Sequence, residues 1–163
     1  MFLSLTFALF VMKSLVSPEE VVSVAFAADY VITSSNITSL DVLATESRFL
    51  CPLLGSALYD RLLAGAYPEL FSDYVIPQVA AWTRYVVEPV LSERCDYDRS
   101  RDYSEADYKM NRQLLLQLRS TAQAMSRRLT DYLNANAESI PEYDADANPL
   151  NHCMMYGDVV QVY

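Results

Sequence analysis

The chain has 163 residues, of which 52% are hydrophobic, and it carries a net charge of −9. This length suits one domain and is sufficient to bury a core without disulfides or metal. The acidic balance argues against a protein that grips the nucleic-acid backbone or an anionic membrane surface, because both need a surplus of Lys and Arg. Only 3 glycines are present, which argues against a Gly-rich phosphate loop.

The first segment, residues 1–16, is an apolar stretch in which small and large side chains alternate. This period of two predicts an extended arm with one apolar face, which needs a partner edge on another subunit. Its interface candidates are Phe2, Leu5, Phe7 and Leu9. A secretory signal is the rival interpretation, although no basic residue precedes the apolar run and Lys13 interrupts it. The run is also shorter than the ~20 residues of a membrane span.

Residues 17–137 are predicted to form a helical domain. Ser17, Pro18 and Glu20 together make a capping box for a first helix, and Thr38 or Ser39 can cap the next one. Pro52 is expected to end that second helix near residues 49–51, because proline lacks an N–H and disfavours helix in the residue before it. A helix then restarts, with Gly55 expected to give room for close packing at the corner.

Apolar residues at helical spacing predict the core. One stripe follows Pro52, a second runs through the helix that contains Pro77, and a third belongs to a long last helix over about 105–135, capped by Ser104. The predicted core residues are Leu54, Leu58, Leu62, Val75, Val79, Trp82, Val86, Leu114, Leu118, Met125 and Leu129.

Two segments are predicted to lie outside this helical core. Residues 95–104 are dense in charge of both signs and are expected to form an exposed loop. Residues 138–163 are predicted to be an extended C-terminal tail that ends in a strand-like segment, with interface candidates Val159, Val160, Val162 and Tyr163. The predicted fold class is therefore mainly α, a small helical bundle with extended N- and C-terminal arms.

No arrangement of residues indicates an enzyme, and we expect neither a catalytic residue, a cofactor nor a metal. His152 is the only histidine and is next to Cys153, but adjacent residues in an irregular tail rarely form a nucleophile–base pair. Cys51, Cys95 and Cys153 are far apart, without metal-ligand spacing, and indicate a reduced, intracellular protein. The carboxylates between Asp96 and Asp107 lack the glycine of a calcium loop and are expected to be solvated.

Four segments, taken in order, resemble a known family: SPEEVV, ATESRFLCPLLGSALYDRLL, LFSDYVIPQVAAWTRYVVEPVL and DYLNANAESIPEY. They are similar to the small head–tail connector (adaptor) proteins of tailed bacteriophages, in the version found in phages and prophages of Bacteroides-like bacteria. The most specific part is residues 46–90, where Pro and Leu-Gly precede a helix with a central Pro77-Gln78-Val79-Ala80. The resemblance covers roughly residues 10–143, without the charged loop.

The resemblance implies a structural virion protein of the phage neck, assembled in the host cytoplasm. Such proteins form a homo-oligomeric ring of about a dozen copies under the portal protein, contact tail or neck proteins and extend the channel through which DNA passes. Neither enzymatic activity nor a membrane is implied. An acidic channel wall would let DNA slide. Three rivals stay open: a secreted or envelope-associated helical protein with a cleaved signal, a small ligand-binding domain, and another virion ring such as a head-completion or tail-terminator protein.

Overall fold

The fold is mainly α. The computed structural model of the protein describes residues 13–27, 32–94, 105–156 and 159–162, with side chains given for 13–27, 32–91, 109 and 111–152. The helices of this part are α1 (Pro18–Ala25), α2 (Ser39–Thr45), α3 (Cys51–Leu63), α4 (Pro68–Leu70), α5 (Ile76–Arg94) and α6 (Glu105–Ala135). Short 3₁₀ turns lie at Ser34–Asn36, Ala137–Ser139 and Pro149–His152.

The first two helices both begin at capping boxes, of which the sequence predicts the first, and Thr38 is the second helix's cap. The Glu20 N–H donates to the Ser17 hydroxyl, and the Ser17 N–H donates to the Glu20 carboxylate. Thr38 and Asp41 make the same reciprocal pair at the start of α2. Each box satisfies two backbone N–H groups that otherwise have no partner at the start of a helix.

Pro52 and Pro77 each follow a π turn. Glu46–Leu50 and Phe71–Val75 are π-helical, and the N–H groups of Cys51 and Ile76 donate five residues back, to the carbonyls of Glu46 and Phe71. A proline ring clashes with the carbonyl four residues before it, and a widened turn relieves that clash. The chain therefore continues as a helix through Pro52, and the prediction that a helix ends there is wrong.

The break lies at Gly55 instead. Its φ of +74° and ψ of 163° are non-helical and divide α3 into two pieces. This region of backbone space is essentially restricted to glycine. A Cβ at this position would meet nothing within 4 Å, so glycine is needed here for its backbone angles, and the expected close packing at this corner is absent.

Helix α5 lies at the centre of the domain, packed against α1, α2 and α6. Arg84 of α5 donates to the Ala25 carbonyl at the end of α1, and its guanidinium lies 4.8 Å from the centre of the Phe26 ring. Of the predicted core, the following are buried: Leu54, Leu58, Leu62, Val75, Val79, Trp82 and Leu129. Leu114, Leu118 and Met125 are half-buried.

The prediction that Val86 belongs to the core is wrong, because its side chain is 38% exposed. The buried row has a spacing of four and runs from Val75, just before α5, along the helix through Val79, Thr83, Val87 and Leu91. Such a row drifts around the helix relative to a straight stripe. The row through Trp82 therefore leaves the core at Val86 and Val90, both of which are exposed.

The first half of the predicted C-terminal tail is part of the domain. Ile140 and Tyr143 join the hydrophobic core, and Asn148 is buried beneath them. After them, strands β1 (Cys153–Tyr156) and β2 (Val159–Val162) pair antiparallel, with Cys153 opposite Val162. The C-terminal strand thus pairs with the preceding strand of its own chain.

Several predictions fall outside the described residues. These are the interface candidates Phe2, Leu5, Phe7, Leu9 and Tyr163 and the charged loop 95–104, and the side chains of Val159, Val160 and Val162 are not described either. Within the described ranges, none of the helices combines the length and the apolar character that crossing a membrane demands.

Candidate functional site

A buried carboxylate holds the chain just after the apolar N-terminal stretch. Glu46, in the π turn before α3, is fully buried. Its Oε1 accepts the Val16 N–H at 2.8 Å, and its Oε2 accepts the Leu15 N–H at 3.1 Å and the Tyr59 hydroxyl at 2.8 Å. We call these four residues the Glu46 anchor. The anchor ties residues 15–16 to α3 through their main chain.

The anchor is electrostatically costly to build. Burial raises the pKa of Glu46, while the hydrogen bonds from Val16, Leu15 and Tyr59 lower it. Burial, together with the bond to Glu46, raises the pKa of the Tyr59 hydroxyl. Burial and the nearby Glu46 charge also raise the pKa of the Cys51 thiol. Cys51 therefore stays a neutral thiol, which is a poor nucleophile, and the anchor is suited to holding rather than to chemistry.

A second polar group joins α5 to α6 inside the domain. The Ser126 hydroxyl accepts from Trp82 Nε1 at 2.8 Å and from Gln78 Nε2 at 3.2 Å. Gln78 Nε2 also donates to the Phe49 carbonyl at 3.0 Å, in the first π turn. The Trp82 and Phe49 rings stack with centres 3.9 Å apart. This Ser126 junction connects the first π turn, α5 and α6 around one buried hydroxyl.

A third group fixes the turn between α3 and α4 to the C-terminal segment. Glu142 accepts the Tyr67 hydroxyl at 2.7 Å and pairs with Arg61 Nε at 3.0 Å. The hydrogen bond from Tyr67 is the main reason that the pKa of Glu142 is lowered. The same bond raises the pKa of Tyr67. Residues 138–152 are thereby held at a second point besides their buried apolar side chains.

An open cleft of about 540 Å³ lies beside α6. Its walls include Tyr74, Arg127, Arg128, Asp131 and Tyr132. The Tyr74 and Tyr132 rings are 4.1 Å apart, and the Arg128 guanidinium lies 4.8 Å from the Tyr74 ring centre. The cleft offers aromatic faces and hydrogen-bond donors, which suit binding, and it contains no nucleophile with a neighbouring base.

The residues weighed for catalysis or metal binding are not brought together in the described structure. His152 is exposed, and its Nε2 lies 2.7 Å from the Asp146 carbonyl oxygen. Cys95, Asp96, Asp98 and Asp102 lie outside the described residues, as does the side chain of Cys153. Among the side chains that are described, no group of three or more His, Cys, Asp or Glu is placed to hold a metal ion.

Sequence reasoning missed the Glu46 anchor. The sequence assigned Glu46 no role of its own, and this residue lies 30 positions from Val16, whose N–H it accepts. No local pattern predicts a contact at that separation. A usable signal was its register, because Glu46 lies four residues after Val42 and four before Leu50, both buried, and a carboxylate on that side of the helix needs donors.

Comparison with known proteins gives one partial match. A model of a family of unknown function, DUF6712, matches residues 97–151, which include α6, most of the cleft lining and the segment after α6. No curated protein matches the chain. No solved structure matches it either.

Proposed function

We propose that this protein is a structural virion component, a ring-forming head–tail connector that lies under the portal of a tailed phage and extends its DNA channel. The proposal starts from the sequence resemblance over residues 10–143. The mainly α fold agrees with what that resemblance implies for the domain. In this function the copies of the chain contact one another, the portal protein and the tail or neck proteins, while DNA passes through the centre.

The Glu46 anchor is the structural observation that best supports this proposal. The 14 residues before Leu15 are strongly apolar, and a ring protein can use such an arm to bind its neighbour. An arm transmits force or fixes a neighbour's position only if its base is rigid. Three hydrogen bonds to a buried carboxylate provide that rigid base, and buried, fully paired polar groups specify a single geometry.

The internal junctions also suit a structural role. The Ser126 junction and the Glu142 contacts tie together segments that are distant in the chain. Their polar atoms serve to hold one another, and the sites offer binding surface rather than a reacting pair. A protein that transmits load between a head and a tail requires such cross-links between its elements.

The test is native mass spectrometry of the purified full-length chain, alone and mixed with the candidate portal protein. A ring of about a dozen copies, formed alone or on the portal, is the expected result. The mass of a single chain in the same spectrum should equal that of all 163 residues. A matched measurement with an unrelated ring-forming virion protein in place of the portal tests whether the association is specific.

A stable monomer that does not bind the portal protein would overturn the proposal. If the chain purified from cells has also lost its first 27 residues or so, the rival interpretation as a secreted or envelope-associated protein takes its place. A ring that binds tail proteins but not the portal would favour a tail-terminator role instead.

A further inference from the structure

The basic residues of this acidic protein are concentrated on α6. Between residues 109 and 130 the sequence contains no Asp or Glu, and all 21 acidic residues lie elsewhere. The five basic residues of this stretch are exposed: Lys109, Arg112, Arg119, Arg127 and Arg128. The charge of the chain is therefore segregated rather than mixed.

Part of this charge forms a continuous surface around an exposed leucine. Arg112, Leu116 and Arg119 are spaced by four and three residues, so they share one side of the helix with Lys109. The Leu116 side chain is 59% exposed. We call these four residues the basic face. An apolar side chain surrounded by cations is the composition expected at the centre of a protein contact, with charges around it that select the partner.

An acidic surface lies beyond the other end of the same helix. Residues 138–146 follow α6 and expose Glu138, Asp144 and Asp146. This acidic segment is rigid, because Ile140 and Tyr143 are buried and the Asp144 carboxylate accepts the N–H groups of residues 146 and 147. A surface that is already ordered loses little entropy when it binds.

The two charged surfaces of one chain are too far apart to neutralise each other. Arg119, the member of the basic face nearest the acidic segment, and the end of α6 at Ala135 are separated by about 24 Å along the helix axis, about three times the Debye length of about 8 Å at physiological salt. Two copies can pair them. A two-fold dimer through the basic face would place cations against cations, whereas a head-to-tail contact places opposite charges together. Head-to-tail contacts form a ring when the rotation between copies closes.

We propose that the basic face of α6 binds the acidic segment 138–146 of the next copy, and that this head-to-tail contact builds the ring. This inference rests on the proposed function and names the surfaces through which it is achieved. A nucleic acid is the other polyanion that the basic face suits. The net charge of −9 repels it at long range, and the chain itself supplies a matching acidic surface.

The test uses two full-length variants and their mixture, followed by native mass spectrometry and sedimentation. Arg112→Glu with Arg119→Glu makes both surfaces acidic, and Glu138→Lys with Asp146→Lys makes both basic. Each variant alone should need at least about a tenfold higher concentration to assemble than the natural chain. An equimolar mixture should restore assembly, because acidic and basic copies alternate. The helical circular dichroism of each variant checks that it folds.

A matched control carries the same change in charge at a different place. Arg48→Glu makes the same change in charge as Arg119→Glu alone, at an exposed cation outside α6, and unlike Arg119→Glu it should assemble as the natural chain does. If the natural chain forms a ring and the variants leave it unchanged, or if the mixture does not recover, this inference is wrong while the proposed function stands. A natural chain that stays monomeric with and without the portal overturns both.

Duplex DNA of random sequence distinguishes the remaining case. If the natural chain binds it, and Arg112→Glu with Arg119→Glu abolishes that binding without affecting assembly, the basic face is a phosphate-binding surface and the head-to-tail proposal is wrong. We expect instead that binding of the duplex is weak and equal in the natural chain and the variant.

Discussion

Single residues in this protein hold segments that are far apart in the chain. Glu46 holds residues 15–16, Ser126 accepts from two side chains of α5, and Glu142 joins Tyr67 to Arg61. In each case one polar group satisfies several partners. Removing one partner from such a group leaves a donor or acceptor unsatisfied, and where that atom is buried the loss exceeds what the hydrogen bond contributed.

Replacing Glu46 by Gln tests the anchor at the level of one atom. The amide keeps one acceptor oxygen, but its NH₂ must face at least one donor among Leu15 N, Val16 N and Tyr59 Oη. We expect the free energy of unfolding to fall by about 1–3 kcal/mol, measured by urea denaturation. The control Glu69→Gln, at an exposed site, should change it by less than about 0.5 kcal/mol. Equal losses in both variants would show that the anchor contributes nothing.

The pH dependence of the same residue has a defined sign. Burial raises the pKa of Glu46 above its ordinary value of 4.5, so the folded state binds the proton more tightly than the unfolded state does. The stability that Glu46 contributes is then fully present below pH 4.5 and is lost as the pH rises through the raised pKa. The natural chain should therefore gain stability relative to Glu46→Gln as the pH is lowered from 7 to 4.5. Urea denaturation of both chains across this range measures the difference, and a relative loss would contradict the expectation.

At the scale of elements, the fold depends on how α3, α5 and α6 are positioned. The sequence predicted the capping box of α1, a cap for α2 at Thr38 or Ser39 and the span of α6, because these depend on neighbouring residues. It did not predict the π turns before Pro52 and Pro77, and the first of them was interpreted as the end of a helix. It also placed Val86 in the core instead of Val87. Apolar spacing alone does not show which of two adjacent rows of side chains on a helix contacts the neighbouring helices.

Gly55 is expected to be intolerant of any side chain, although there is space for one. A residue with a Cβ is strained at φ +74° and ψ 163°, so Gly55→Ala should lower the free energy of unfolding by about 1–3 kcal/mol. Ser56→Ala, at the next exposed position, is the control and should be nearly neutral. A neutral Gly55→Ala would mean that the two pieces of α3 rearrange into one helix, which a change in helical circular dichroism would reveal.

Ser126→Ala tests the connection between α5 and α6. It leaves Trp82 Nε1 and one N–H of Gln78 without their buried acceptor, at a cost of about 1–3 kcal/mol each in the worst case. Trp82 is the only tryptophan, so its fluorescence reports directly on this junction and should change in the folded variant. Ser120→Ala, on an exposed part of the same helix, should leave both the stability and the emission unchanged.

At the scale of the whole molecule, the distribution of charge matters more than its sum. A net charge of −9 alone suggests a uniformly acidic surface, and on that basis the sequence favoured an acidic channel wall. The exposed cations of α6 and the acidic segment 138–146 divide the surface instead. The sequence contained this segregation, but the exposure of Leu116 between the cations and the rigid placement of residues 138–146 required the structure.

Assembly is therefore expected to weaken as salt is added. Raising the ionic strength from about 0.01 M to about 1 M shortens the Debye length from about 30 Å to about 3 Å, which screens attraction between exposed charges. Sedimentation of the full-length chain should show fewer assembled copies at the higher salt concentration. Assembly that strengthens with salt would indicate an apolar contact, such as one made by the N-terminal stretch, as the dominant interface.

The Glu46 anchor has one more consequence, for how this protein can change over time. The Glu46 carboxylate accepts hydrogen bonds from the main-chain N–H groups of Leu15 and Val16 and from neither of their side chains. Substitutions before Leu15 should therefore leave this attachment intact. A lineage can thus exchange the leading sequence while keeping the same domain. For the same reason, a different peptide can be fused in place of the residues before Lys13 while the main chain of residues 15–16 stays bound to Glu46.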